Sequence, residues 1–154
     1  TAVLIEQALA GFGPNGMEGE YERERLPRWQ AWYDLVVGRL LLQSVRLAEY
    51  GLTIRMILDP SIFPNKANQI NLFPYAAIRA GELSLQRAME GQRLLQRCLD
   101  KNPGTPWAFL AARELEHPLS IDFNWRYIPP PPPPPPFIGG GGGSAAPQIS
   151  IPRL

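Results

Sequence analysis

Asn102-Pro103-Gly104-Thr105-Pro106-Trp107-Ala108 separates two helical patterns and decides how the chain around it is read. Pro103 disfavours helical geometry at Asn102, so the preceding helix ends there. Gly104 can take the positive φ found just past a helix end. Thr105 has the side-chain oxygen of an N-cap, and Pro106 suits a first helical position, where an N–H has no partner anyway. Two helices joined by so short a turn are antiparallel, an αα-hairpin. The chemistry of the turn is structural.

Downstream, Trp107, Leu110, Ala111 and Leu115 fall on one face of a helix that ends at His117-Pro118. Upstream, a helix is predicted from Pro74 or Tyr75 to Lys101. Leu85, Ala88, Gly91, Leu95, Cys98 and Leu99 line one side of it, and the small Ala88 and Gly91 allow close helix approach. Arg79, Glu82, Arg87, Glu90, Arg93 and Arg97 are expected outside. The longest helix runs from Pro27 to about Leu58. Trp29, Tyr33, Val36, Leu40, Leu47 and Gly51 form one stripe, with Trp32, Val37, Leu41, Val45, Ala48 and Leu52 beside it. Two stripes place a helix between neighbours, so this one is central.

Asp59-Pro60 stops the central helix, and residues 61–73 read as an ordered loop pinning Ile62, Phe63, Ile70, Leu72 and Phe73 onto the helices. At the start, Val3, Leu4, Ile5, Ala8 and Leu9 give a short helix, ended by the glycines of residues 11–19. Residues 20–25 are a charged, solvated lead-in. From Leu119 to Ile128 the period becomes two, with Ile121, Phe123, Trp125 and Tyr127 alternating with Ser120, Asp122, Asn124 and Arg126. Without a second strand pattern to pair with, this segment is expected to drape over the helices as a strap.

The chain has 154 residues and a net charge of +1, with Arg and Glu interspersed. A phosphate-binding protein needs a basic patch or stripe, so nucleic acid is not the expected partner. The single cysteine, Cys98, rules out an internal disulfide framework and a multi-cysteine zinc site. The most apolar run, residues 35–42, is interrupted or flanked by Asp34, Arg39 and Arg46. A spanning helix needs about 20 nearly uncharged residues, so no direct membrane insertion is expected. Thr1 opening inside a helical pattern reads as a fragment or a processed product.

Catalytic patterns, cofactor loops and metal-ligand spacings are not found. His117 sits at a helix end, where imidazole serves as a C-terminal cap or surface group. Cys98 lies on an apolar stripe as a small buried hydrophobe. The glutamates at 20, 22 and 24, and at 114 and 116, read as solvated helix faces. Trp29, Trp32, Trp107 and Trp125 follow the apolar stripes and are expected as core pillars.

The end of the chain is different in kind. Pro129 to Pro136 are eight consecutive prolines, whose favoured geometry is polyproline II, about 25 Å for the run. Gly139 to Gly143 follow as a flexible hinge, then the apolar-basic Ile149-Ser150-Ile151-Pro152-Arg153-Leu154. The tail is either a stiff spacer or an arm that docks in an aromatic groove.

The hairpin turn and its small residues resemble tetratricopeptide-type (TPR) units, although no self-repeat of about 34 residues is found. Two blocks carry a broader likeness: residues 26–39 (Leu-Pro-Arg-Trp-Gln-Ala-Trp-Tyr-Asp-Leu-Val-Val-Gly-Arg) and residues 102–115, which open on the quoted turn. Together they resemble the C-terminal helical region of large bacterial proteins that carry a von Willebrand factor A-type (VWA) domain upstream. The likeness covers residues 20–154, including a proline-rich tail with a basic proline-leucine end. It implies adhesion, scaffolding or assembly at or outside the membrane, hence a cell-envelope or extracytoplasmic setting. The Asp-x-Ser-x-Ser metal motif of a VWA domain is not in this chain, so metal-dependent adhesion passes to none of its residues.

The resulting expectation is an all-α fold, a small helical bundle with a TPR-like αα-hairpin, an extended segment and a polyproline/polyglycine tail. Its parts are residues 1–19 (short helix and glycine-rich loop), 20–128 (helical domain and strap) and 129–154 (tail). The expected role is a non-enzymatic interaction or assembly domain without cofactor or metal, its partner another protein or neighbouring copies. Pro129, Pro132, Pro136, Phe137, Ile149, Ile151, Arg153 and Leu154 are the candidate partner-binding residues. The alternative is a passive stalk or spacer beside a VWA adhesion module.

Overall fold

Pro27 starts the element around which everything else is arranged, a 31-residue helix running to Ile57. The computed structural model describes residues 2–12, 18–62, 64 and 67–133. In chain order these form α1 (Ala2–Gly11), α2 (Glu18–Tyr21), α3 (Pro27–Ile57), a 3₁₀ turn (Pro60–Ile62), β1 (Gln69–Tyr75), α4 (Glu82–Lys101), α5 (Pro106–Glu116) and β2 (Ser120–Arg126). α1, α4, α5 and β2 all pack on α3, and α5 also packs on α4.

The quoted turn folds as its residues require. Gly104 takes φ +73°. Thr105 Oγ1 accepts from the Ala108 N–H at 3.3 Å and donates to the Asn102 carbonyl at 2.6 Å. α4 and α5 form the antiparallel hairpin. α4 lies against α3 so closely that two glycines face each other: a Cβ on Gly38 would lie 2.8 Å from Leu95 Cγ, and one on Gly91 would lie 2.7 Å from Leu42 Cδ2. Leu42 and Leu95 then interlock with Ala31, Leu35, Cys98 and Ala111, while Trp107, Leu115 and Leu119 close the cluster. Burying each leucine contributes about 1.5–3 kcal/mol. A second cluster joins Tyr21, Tyr33, Val37 and Leu94, with Phe12, Trp32 and Leu41 packed beside it.

The all-α expectation is wrong. β1 and β2 pair antiparallel in register from Gln69↔Arg126 to Tyr75↔Ser120. The segment expected as an ordered loop holds one strand, and the segment expected as a draped strap is the other. The pleat sets Ile70, Leu72 and Pro74 opposite Trp125, Phe123 and Ile121 on one face. Pro74 can sit in β1 because a strand with an open edge does not need every N–H. The upstream helix also starts later than expected, at Glu82, after Gly81 at φ +98°. Phe63 and Asn65 lie outside the described residues.

A two-stranded sheet is marginal alone, and here α3 holds it. Glu49, fully buried, accepts from the backbone N–H groups of Arg79 and Ala80, both at 2.6 Å, and from Ser120 Oγ at 2.8 Å. Thr53 Oγ1 donates to the Ile121 carbonyl at 2.9 Å. Arg79 donates to the same carbonyl at 2.8 Å, pairs with Asp122 at 3.2 Å and lies 4.7 Å over the Tyr75 ring. Arg79, expected outside, is therefore a bracket between α3 and the sheet.

Candidate docking groove

The N-terminal third of α3 gathers aromatic rings. Gln30 organises the approach: its Nε2 donates to the carbonyls of Tyr21 at 3.1 Å and Glu24 at 3.0 Å, folding α2 back against α3. Glu24 Oε1 accepts from the Leu26 N–H at 2.8 Å, just ahead of the helix. Tyr21 and Tyr33 meet at 5.3 Å between centroids, Trp29 and Trp32 at 6.2 Å edge to face, and Phe12 lies 6.0 Å from Trp32. Tyr21, Trp29, Trp32 and Tyr33, with Glu20, Glu24 and Gln30, line a shallow groove of about 140 Å³. Tyr21 and Tyr33 are buried, whereas Trp29 is 48% exposed and thus no core pillar. Among the described residues, neither the Trp29 nor the Trp32 indole N–H finds a protein acceptor.

Charges beneath the groove hold it in shape. Asp34, 1% exposed, accepts from Tyr21 Oη at 3.0 Å and from Arg97 Nε at 3.0 and 3.1 Å, and also pairs with Arg97 Nη2. The Arg97 guanidinium lies 4.0 Å over the Tyr21 ring, an arrangement that ties α2, α3 and α4 together. Burial, then the Asp34 hydrogen bond and charge, push the Tyr21 hydroxyl up to about 12. Burial, with the Asp34 charge behind it, pushes the Cys98 thiol up to about 11. Cys98 is therefore a poor nucleophile at neutral pH.

Both shifts favour the neutral form in the folded state, so their stabilisation is complete below the unfolded values of 10.0 for Tyr21 and 9.0 for Cys98. It is lost as pH rises through the folded values. Thermal midpoints are expected to hold steady from neutral pH to about pH 9 and fall between about pH 9 and 12. Tyr21→Phe should flatten the upper part of that fall. A variant whose alkaline limb matches that of the parent protein would count against this account.

A second concavity of about 530 Å³ is lined by Arg39, Arg46, Arg113, Glu114, His117 and neighbours. Its central group is already committed. Arg46 pairs with Glu114 Oε1 and donates to the carbonyls of Pro118 at 3.1 Å, Glu114 at 3.3 Å and His117 at 3.4 Å. It caps the C-terminus of α5, where carbonyls lack partners and a cation is favoured. Glu114, expected on a solvated face, is held by Arg46 and by Arg39 at 3.2 Å.

Of the candidate arm residues, the described ones, Pro129 and Pro132, do not line the groove. β2 leads into Ile128, whose carbonyl accepts from Asn68 Nδ2 and whose N–H donates to Asn68 Oδ1, both at 2.8 Å. Pro129 and Pro132 come next, exposed. Pro136, Phe137, Ile149, Ile151, Arg153 and Leu154 lie outside the described residues. Assigning the tryptophans to apolar stripes hides the groove from a sequence reading. The signal for it is Trp29, Trp32 and Tyr33 crowded into little more than one turn, more rings than a single face can bury.

Among the described residues no group of His, Cys, Asp and Glu is arranged to hold a metal ion, and no helix is long and apolar enough to cross a membrane. Compared with protein-family models, curated proteins and solved structures, the chain matches none.

Proposed function

We propose that this chain is a non-enzymatic protein–protein interaction or assembly domain, with the helical body as platform and the proline/glycine arm as the reaching element. The observation that supports this reading most is the solvent-facing aromatic groove, whose Trp29 is 48% exposed and whose Tyr21 is held from below by Asp34 and Arg97. Half-exposed tryptophans in a pre-shaped site are the side chains that anchor protein partners. The buried charged groups have structural partners: Asp34 is held by Tyr21 and Arg97, Glu49 by two backbone N–H groups and Ser120, and Arg46 by the end of α5. They are occupied in holding elements together rather than poised for proton transfer.

Sedimentation of the full chain beside a chain ending at Ile128, over a range of concentrations, tests the reading. The full chain is expected to associate, and the shorter one to associate less. Undiminished association refutes the arm's role. A full chain that stays monomeric refutes assembly between copies.

A further inference from the structure

The groove and the proline run are complementary in chemistry, but the run starts at the opposite end of α3 from the groove. Groove first: at about 140 Å³ it is smaller than the roughly 300–1,000 Å³ pockets that enclose small ligands. It is a shallow set of ring faces with tryptophan N–H donors to spare. Proline-rich segments are recognised by such surfaces. The rings of a polyproline II helix lie against aromatic faces, its carbonyls point outward to accept hydrogen bonds, and little chain entropy is lost because the helix is preformed. The rim carries Glu20 and Glu24, and residues 129–154 contain no acidic residue to be repelled by it.

The positions of the two features decide which copy supplies the run. Trp29 lies near the start of α3, while Thr53, near its end, holds Ile121 at the start of β2. The helix between Trp29 and Thr53 is about 36 Å long. β1 follows the end of α3 and leads back to Arg79 and Ala80 at Glu49. β2, antiparallel to β1, therefore carries the chain away from Glu49 toward the C-terminal end of α3 and away from the groove. Asn68 fastens Ile128 there. A run of eight prolines starting at that point reaches about 25 Å, which is short of its own groove even if it pointed straight back.

From these positions we infer that the Trp29–Trp32 groove receives the Pro129–Pro136 run of a second copy of this chain. The inference rests on the interaction reading above and names its partner.

The test uses full-length chains and a synthetic peptide of residues 127–139, which contains the eight prolines and no tryptophan. A control peptide has glycine and serine in place of the prolines. Tryptophan fluorescence of the full chain should change saturably with the proline peptide and not with the control. Trp29→Ala should weaken this binding at least tenfold with an unchanged circular dichroism spectrum, and Trp29→Phe, which keeps a ring face, should retain most of it.

Mixing provides the decisive arm. A Trp29→Ala chain keeps its arm, and a full-length chain with Pro129–Pro136 replaced by glycine and serine keeps its groove. Neither should associate alone, and together they should form one-to-one pairs. Equal binding of both peptides, or full binding by Trp29→Ala, overturns the groove assignment. If the arm still drives association in that case, the interaction reading stands with the docking site elsewhere. Peptide binding without arm-dependent association overturns the second copy as occupant. Loss of both removes assembly between copies as well as the groove assignment.

Discussion

A chain carrying Gly91→Leu is expected to lose about 3–5 kcal/mol of stability, the range in which core overpacking and backbone displacement combine. The reason lies at the α3–α4 crossing. Even the first added atom, a Cβ, would stand 2.7 Å from Leu42 Cδ2 and 3.1 Å from the Gly38 carbonyl oxygen. Leu42 is 1% exposed and wedged in the main core, so it has no free space to yield. A leucine there must push α4 off α3 and open the core around Leu95 and Cys98. With total stability of about 5–15 kcal/mol in domains of this kind, much of the folded population would be lost at physiological temperature. Gly91→Ala separates the two contributions. It gains about 1 kcal/mol of helix propensity and loses about 1–3 kcal/mol to overpacking, so a small net loss is expected. Thermal and urea denaturation tracked by circular dichroism measure both. A Gly91→Leu chain within about 1 kcal/mol of the parent would disprove the tight crossing.

Glu49→Ala should produce the second large loss, about 3–5 kcal/mol, because removing one member of a buried charged network strands the others. The stranded groups are the N–H donors of Arg79 and Ala80 and the hydroxyl of Ser120. Its signature is local as well as global. Amide hydrogen exchange at Arg79 and Ala80 should lose most of its protection, and the β1–β2 amides should do the same, since the carboxylate is one of the few ties between sheet and helix. Glu49→Gln should be milder, because its carbonyl still serves one side of the site while its NH₂ faces a donor on the other. Unchanged exchange at Arg79 and Ala80 in Glu49→Ala would rule out the clamp.

These two positions also show how much of the fold is legible in the sequence. Gly91 is readable: a small residue on an apolar stripe signals close approach, and the Pro103–Pro106 turn signals the hairpin through backbone restrictions local to each residue. Glu49 is not. The face of α3 that is buried carries Asp34, Arg46, Glu49 and Thr53, and a pattern search that equates burial with apolarity assigns such residues to solvent. Each is inside because partners far along the chain satisfy it, and those partners become visible only when the chain is folded.

The sheet escapes detection for a related reason. Gln69-Ile70-Asn71-Leu72 does alternate, but Phe73 breaks the period and Pro74 argues against a strand. Its partner lies beyond two intervening helices, so neither strand carries the turn signal that marks a local hairpin. The segment from Leu119 reads correctly as extended and incorrectly as unpaired. The groove is legible as an excess of aromatics, a signal masked because Trp29 happens to fall on a stripe. The separation of the groove from the start of the proline run is not legible at all, since it depends on the direction of β2.

The boundary of α5 is set at long range. Its closing carbonyls are satisfied by Arg46, 68 to 72 positions upstream, so the punctuation that stops this helix is written in another helix. The residues after Glu114 are thereby relieved of capping duty, and the backbone passes from helix to strand across His117, Pro118 and Leu119 without a glycine. Transplanted alone, the α5 segment would keep its start signal in Thr105 and lose its stop. Where it ends is a property of the folded whole, and a library of spliced or permuted chains should show that end blurring whenever position 46 is left behind.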